Sequence, residues 1–69
     1  MRYYDIYIGN VQYSYSIGLK STLYKELNHN EIVNLALSKD LFPDKLDAGF
    51  VVKTEEITKS LYDYWYGKD

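Results

Sequence analysis

The chain has no cysteine, one proline, one methionine, one histidine and one arginine, Arg2, among its 69 residues. Without cysteine there is no disulfide framework and no thiolate zinc site. With a single histidine, a multi-histidine metal site is excluded as well. No hydrophobic run approaches the roughly 20 residues that a membrane-crossing helix requires. The four glycines, at 9, 18, 49 and 67, are scattered, so no glycine-rich phosphate cradle exists. Charge of one sign is also missing: ten acidic residues face eight basic ones, a net charge of −2. That balance gives no basic footprint for duplex nucleic acid. The first ten residues, MRYYDIYIGN, lack the apolar core of a signal peptide, so the expected compartment is the cytoplasm.

Tyrosine is abundant. Nine tyrosines, two phenylalanines and one tryptophan make up 17% of the chain and, with the aliphatics, must build a core without covalent staples. Residues read from AT-rich codons (Phe, Tyr, Met, Ile, Asn, Lys) outnumber those read from GC-rich codons (Gly, Ala, Arg, Pro) by 28 to 8. This points to a low-GC bacterium, or a phage or mobile element living in one.

The length allows one domain, residues 1–69. Over residues 3–17, Tyr4, Ile6 and Ile8, then Val11, Tyr13, Tyr15 and Ile17, alternate with polar or tyrosine positions. Gly9-Asn10 suits a two-residue hairpin loop, since both residue types tolerate positive φ. That loop sets Ile8 opposite Val11, Ile6 opposite Tyr13 and Tyr4 opposite Tyr15. All these apolar side chains share one face. Tyr3, Asp5, Tyr7, Gln12, Ser14 and Ser16 share the other. Residues 18–27 read as irregular or briefly extended.

A main helix over about 29–41 follows. Asn28 and Glu31 have the spacing of a capping box, and Leu27 and Ile32 that of a hydrophobic staple. Ile32, Val33, Leu35, Ala36 and Leu37 span a wide apolar arc, and Pro43 ends the segment. The stretch 43–49 reads as a loop with Leu46 tucked beneath it. Phe50–Ile57 reads as a third strand, and Thr58 caps a short helix over about 59–66 that Gly67 stops. On that helix Leu61 and Trp65 centre the apolar arc. The predicted class is α+β in the order β-β-α-β-α. Its three-stranded antiparallel sheet has the first strand in the middle and the main helix across one face.

Catalytic chemistry finds little footing. His29, in the first helical turn, has no sequence-adjacent partner, and none of Ser14, Ser16, Ser21, Ser38 and Ser60 sits in a nucleophile-elbow pattern. Asp40, Asp44 and Asp47 cluster without calcium-loop spacing, and Lys39 and Lys45 run through them. Glu55 and Glu56, adjacent on a strand, point to opposite faces. No enzyme activity, cofactor or metal is expected. The Tyr/Ser mixture on the second hairpin face resembles a binding paratope in composition, where tyrosine supplies area at low entropy cost and serine adapts. The expected partner-binding set is Tyr3, Asp5, Tyr7, Gln12, Ser14, Ser16, Tyr24, Tyr64 and Tyr66. The function these features suggest is occupancy of a host protein's surface, as anti-restriction or anti-CRISPR inhibitors do. Two alternatives stand beside it. Single strands could stack on sheet tyrosines if Lys20, Lys25 and Lys53 converge. A homodimer could form through a strand edge or the tyrosine face.

Overall fold

The computed structural model describes residues 1–12, 14–42 and 49–67. The elements are β1 (Arg2–Gly9), β2 (Ser14–Ser21), α1 (His29–Ser38), β3 (Val51–Ile57) and α2 (Lys59–Tyr66). The antiparallel sheet has the order β2-β1-β3, so β1 carries a hydrogen-bonded neighbour on each side. This is the predicted α+β architecture.

Strand alternation assigns the faces. Tyr4, Ile6 and Ile8 are wholly buried and form a core cluster with Leu19, Leu27, Ile32 and Ala36. Tyr15, Ile17, Leu35, Phe42, Phe50 and Val52 pack against it. The buried helical positions are Ile32 and Ala36, one turn apart on α1. Burying side chains of this size contributes about 1.5–3 kcal/mol each. The Tyr4 hydroxyl is satisfied inside the core: it accepts the Leu27 N–H at 3.2 Å, fastening β1 to the approach of α1.

The hairpin register differs from the expected one. Ile8 lies opposite Tyr15, Ile6 opposite Ile17 and Tyr4 opposite Leu19. The connection therefore lies between Gly9 and Ser14, and Val11 is fully exposed in it rather than paired with Ile8. Asn10 Oδ1 accepts the Gln12 N–H at 2.8 Å, an Asx-type turn that holds the longer loop. The slip is four residues, two full side-chain periods, so the residues that stay in the ladder keep their expected faces, while Val11 and Gln12 leave it for the loop. What the longer register gains is Leu19 and Ser21. Both are buried, and both belong to the stretch 18–27, expected to be irregular or briefly extended, of which 18–21 are extended. Tyr13, which the expected register set opposite Ile6, and Leu46 lie outside the described residues.

The start of α1 is the expected one. Asn28 Oδ1 accepts the Glu31 N–H at 2.9 Å, and Glu31 Oε1 accepts the Asn28 N–H at 3.0 Å. Leu27 and Ile32, the staple pair, both enter the core. The end comes earlier than Leu41. Asp40 takes φ 57°, Asp40 N–H donates to the Leu37 carbonyl, and Leu41 N–H donates to the Ala36 carbonyl, each at 3.1 Å. This is a Schellman motif with aspartate where glycine is usual. Closing there leaves Leu37 exposed, narrower burial than the apolar arc implied. Among the described residues no helix is long and apolar enough to cross a membrane.

Asp40 holds a left-handed conformation that favours glycine. Asp40→Gly is expected to raise unfolding stability by about 0.5–1 kcal/mol, with an unchanged denaturant m-value. Urea unfolding of the two proteins checks this.

Candidate interaction surface

The second sheet face is built by the odd residues of β1 and their partners. Tyr3, Asp5 and Tyr7 stand opposite Lys20, Gly18 and Ser16 of β2, and opposite Ile57, Glu55 and Lys53 of β3. α2 crosses one end of this face. Its start is set by Thr58, whose Oγ1 accepts the Leu61 N–H at 3.1 Å, and Lys59 bridges to Asp63 at 2.6 Å along its outer side.

The surface that α2 turns to the sheet is not the one its hydrophobicity suggested. Leu61 and Trp65 remain substantially exposed, and Tyr62 and Tyr66 take the inner positions. Gly18 explains this. A Cβ placed there would fall 2.5 Å from the Tyr66 ring and 2.8 Å from the Tyr62 ring, so the two rings rest on bare backbone. Around them Tyr3 lies 5.1 Å from Tyr62, Tyr66 lies 5.5 Å from Tyr62, and Trp65 meets the edge of Tyr66 at 6.4 Å. The Lys20 ammonium sits 5.4 Å from the Tyr62 ring centroid, within cation–π range.

One hydrogen bond locks the arrangement: the Tyr66 hydroxyl donates to Asp5 Oδ1. Burial, then the bond to Asp5 and its negative charge, push the Tyr66 hydroxyl up to about 12, while Ser16 pulls modestly the other way.

Beyond α2 the face is open. The Tyr7 ring leans back over Gly9, which has no Cβ to obstruct it, and the Lys53 ammonium lies 6.0 Å from the Tyr7 ring centroid. Three shallow depressions run across this half. One of about 350 Å³ lies between Asp5, Ser16, Trp65 and Tyr66. The second, of about 420 Å³, includes Asp5, Tyr7, Lys53 and Glu55, and the third, of about 280 Å³, includes Tyr7, Val11, Val51 and Lys53. Shared residues join them into one trough from Trp65 to the hairpin tip.

The structure thus divides the expected binding set. Tyr3 and Asp5 are partly covered by α2, which itself carries Tyr66 on its inner side, whereas Tyr7, Gln12, Ser14 and Ser16 remain accessible. Tyr24 and Tyr64 are exposed but stand apart. Tyr24 sits in the β2–α1 connection, where its carbonyl accepts from Arg2 Nε at 2.7 Å, and Tyr64 lies on α2. The expected binding set lacked Val51, Lys53 and Glu55, because the predicted strand order carried no β1–β3 register; that register places them beside Tyr7. The set also lacked Trp65, a wall of the trough.

Other chemistry-bearing groups are dispersed. His29 Nδ1 is 2.9 Å from Thr54 Oγ1, tying α1 to β3. Glu56 pairs with Arg2 at 2.7 Å on the α1 side of the sheet. Lys25 pairs with Glu31 at 2.8 Å beside α1, while Lys20 and Lys53 lie on strands separated by β1, so the three lysines do not converge. Among the described residues no three His, Asp or Glu side chains gather as a metal site, and Asp44, Lys45 and Asp47 lie outside those residues. No family model, curated protein or solved structure matches the chain.

Two predictions follow from the packing of α2. Gly18→Val suits a strand intrinsically but pushes into both rings, so it is expected to undock α2 while β1, β3 and α1 persist. Amide NMR shifts confined to α2 and its contacts would report this. Because the Tyr66 hydroxyl ionises later in the folded chain than its ordinary value of 10.0, its contribution is complete below pH 10 and lost as pH rises through about 12. Tyrosinate absorbance is expected to show one late ionisation that Tyr66→Phe removes. Stability of the native sequence should fall more steeply than that of the variant over this interval.

Proposed function

We propose that the chain is a small non-enzymatic protein-binding module that occupies a functional surface of a host protein. In this reading it is an inhibitor of the anti-defence type, such as an anti-restriction or anti-CRISPR protein, acting in the cytoplasm. Its skewed composition supports a phage or mobile-element source in a low-GC bacterium. The observation that carries the reading is the open trough around Tyr7. It is an aromatic ring, half-exposed and fixed on the central strand, flanked by Ser14 and Ser16 on one side and by Val51 and Lys53 on the other.

The physical basis is preorganisation. Binding costs the entropy of every side chain it immobilises, and a ring already braced over Gly9 and beside Lys53 has less to lose. Apolar Val11 and Val51 at the trough's end add surface whose burial is favourable, and the serines supply donors and acceptors that adapt to a partner. Lys53 and Glu55 give the rim both signs of charge, which selects among partners more than it adds affinity. Occupancy without chemistry is supported by the disposition of His29 and Glu56, each engaged in a structural contact.

The test is affinity capture from nuclease-treated lysate of a low-GC bacterium, comparing the native sequence with Tyr7→Ala/Val51→Asp and with Tyr24→Ala. The expected result is one host protein in stoichiometric yield with the native chain and Tyr24→Ala. The folded double variant should bind it at least about tenfold more weakly. Undiminished binding by the double variant overturns the assigned face. Recovery of nucleic acid alone, when nuclease is omitted, replaces this reading with the stacking alternative.

A further inference from the structure

Two strand edges border the sheet, and they are not alike. On β2, the Lys39 ammonium reaches across from the end of α1 to the Lys20 carbonyl at 3.2 Å, and the edge is interrupted by Gly18. Such capping and weak strand formers blunt an edge against pairing. On β3, seven residues long, no described residue outside β1 hydrogen-bonds the backbone.

Of the three charges on β3, Glu56 is paired with Arg2, while the other two have no ion partner among the described residues. Those two, Lys53 and Glu55, lie on the same face, two residues apart. Glu55 stands directly opposite Asp5, a like-charge pairing that a nearby cation would relieve.

On the tyrosine side of the sheet, β3 (VVKTEEI) complements itself when reversed about Thr54, while on the α1 side Val52 falls opposite Glu56. In an antiparallel pair centred there, Lys53 faces Glu55 of the second copy and Glu55 faces Lys53 of the second copy. Val51 faces Ile57 of the second copy, and its symmetry mate repeats the contact. Thr54 faces its own equivalent on the α1 side. The opposite charges and the apolar pairs on the tyrosine side favour this ladder, while the Thr54 hydroxyl stays with His29. Moving the centre one residue either way opposes Lys53 to Lys53 or Glu55 to Glu55, so charge selects a single register.

We propose that β3 is a self-pairing edge through which two copies join into a six-stranded sheet ordered β2-β1-β3-β3-β1-β2 about a two-fold axis at Thr54. α2 packs on β1 and β2, so the middle of the joined sheet stays open between the two α2 helices. The two Tyr7 troughs then border one continuous floor. A single ladder is a small interface, so the pair is a reversible one that depends on concentration. This inference rests on the edge and does not require the host-protein reading.

Sedimentation over a concentration series tests it, with folds checked by circular dichroism. The native sequence is expected to shift from monomer to dimer as concentration rises. Lys53→Glu alone and Glu55→Lys alone each create like-charge pairs and are expected to weaken self-association by at least about tenfold. Mixing those two variants should restore a dimer containing one of each, and the double exchange Lys53→Glu/Glu55→Lys should restore the homodimer. A native chain that stays monomeric up to about 1 mM, well above the range of specific complexes, overturns the proposal. So does a dimer indifferent to the charge exchanges, including one that is lost only with Tyr7→Ala.

Discussion

Everything in this molecule is arranged about the two-sidedness of β1. Among the described residues it is the only strand bonded along both edges, so its alternation is imposed on both neighbours at once. Tyr4, Ile6 and Ile8 send a fully buried stripe beneath α1, and Tyr3, Asp5 and Tyr7 form the middle row of the opposite face. A one-residue slip against either neighbour would exchange core for surface, which is why the pairing tolerates no odd displacement. The Tyr4 hydroxyl extends this control beyond the sheet, because the chain entering α1 is bonded to it.

That parity was legible from the residues alone, and so were the strand order and the start of α1. Face assignment follows from period-two alternation, which any even register preserves. The α1 start is local chemistry, with Asn28 and Glu31 bonding reciprocally over three residues. Register was not legible, because Gly9-Asn10 is as good a tight turn as any, and only the burial of Leu19 and Ser21 outweighs it. The end of α1 was hidden for a related reason: an aspartate, not a glycine, takes the left-handed position.

The surface was legible in its composition but not in its extent. Tyr3 and Tyr7 do share a face, yet one is covered and the other open, because α2 docks by shape rather than by hydrophobic arc. Gly18 looks like a weak point in a strand, and its use as a flat seat for two tyrosine rings depends on a helix more than forty residues later in the chain. Lys53 and Val51 join Tyr7 through the register of the β1–β3 ladder, which the strand order alone does not fix.

No residue of α2 is fully buried, whereas α1 supplies two residues to the core. Its hold on the sheet is made at partly exposed side chains: ring contacts over Gly18 and with Tyr3, the Lys20 ammonium over Tyr62, and the bond from Tyr66 to Asp5. Detaching such an element costs less than unfolding the β-β-α-β body. With α2 released, Tyr3, Asp5 and Gly18 would be as accessible as Tyr7. Binding that required the whole face would then carry the cost of that release, and its apparent affinity would fall in proportion.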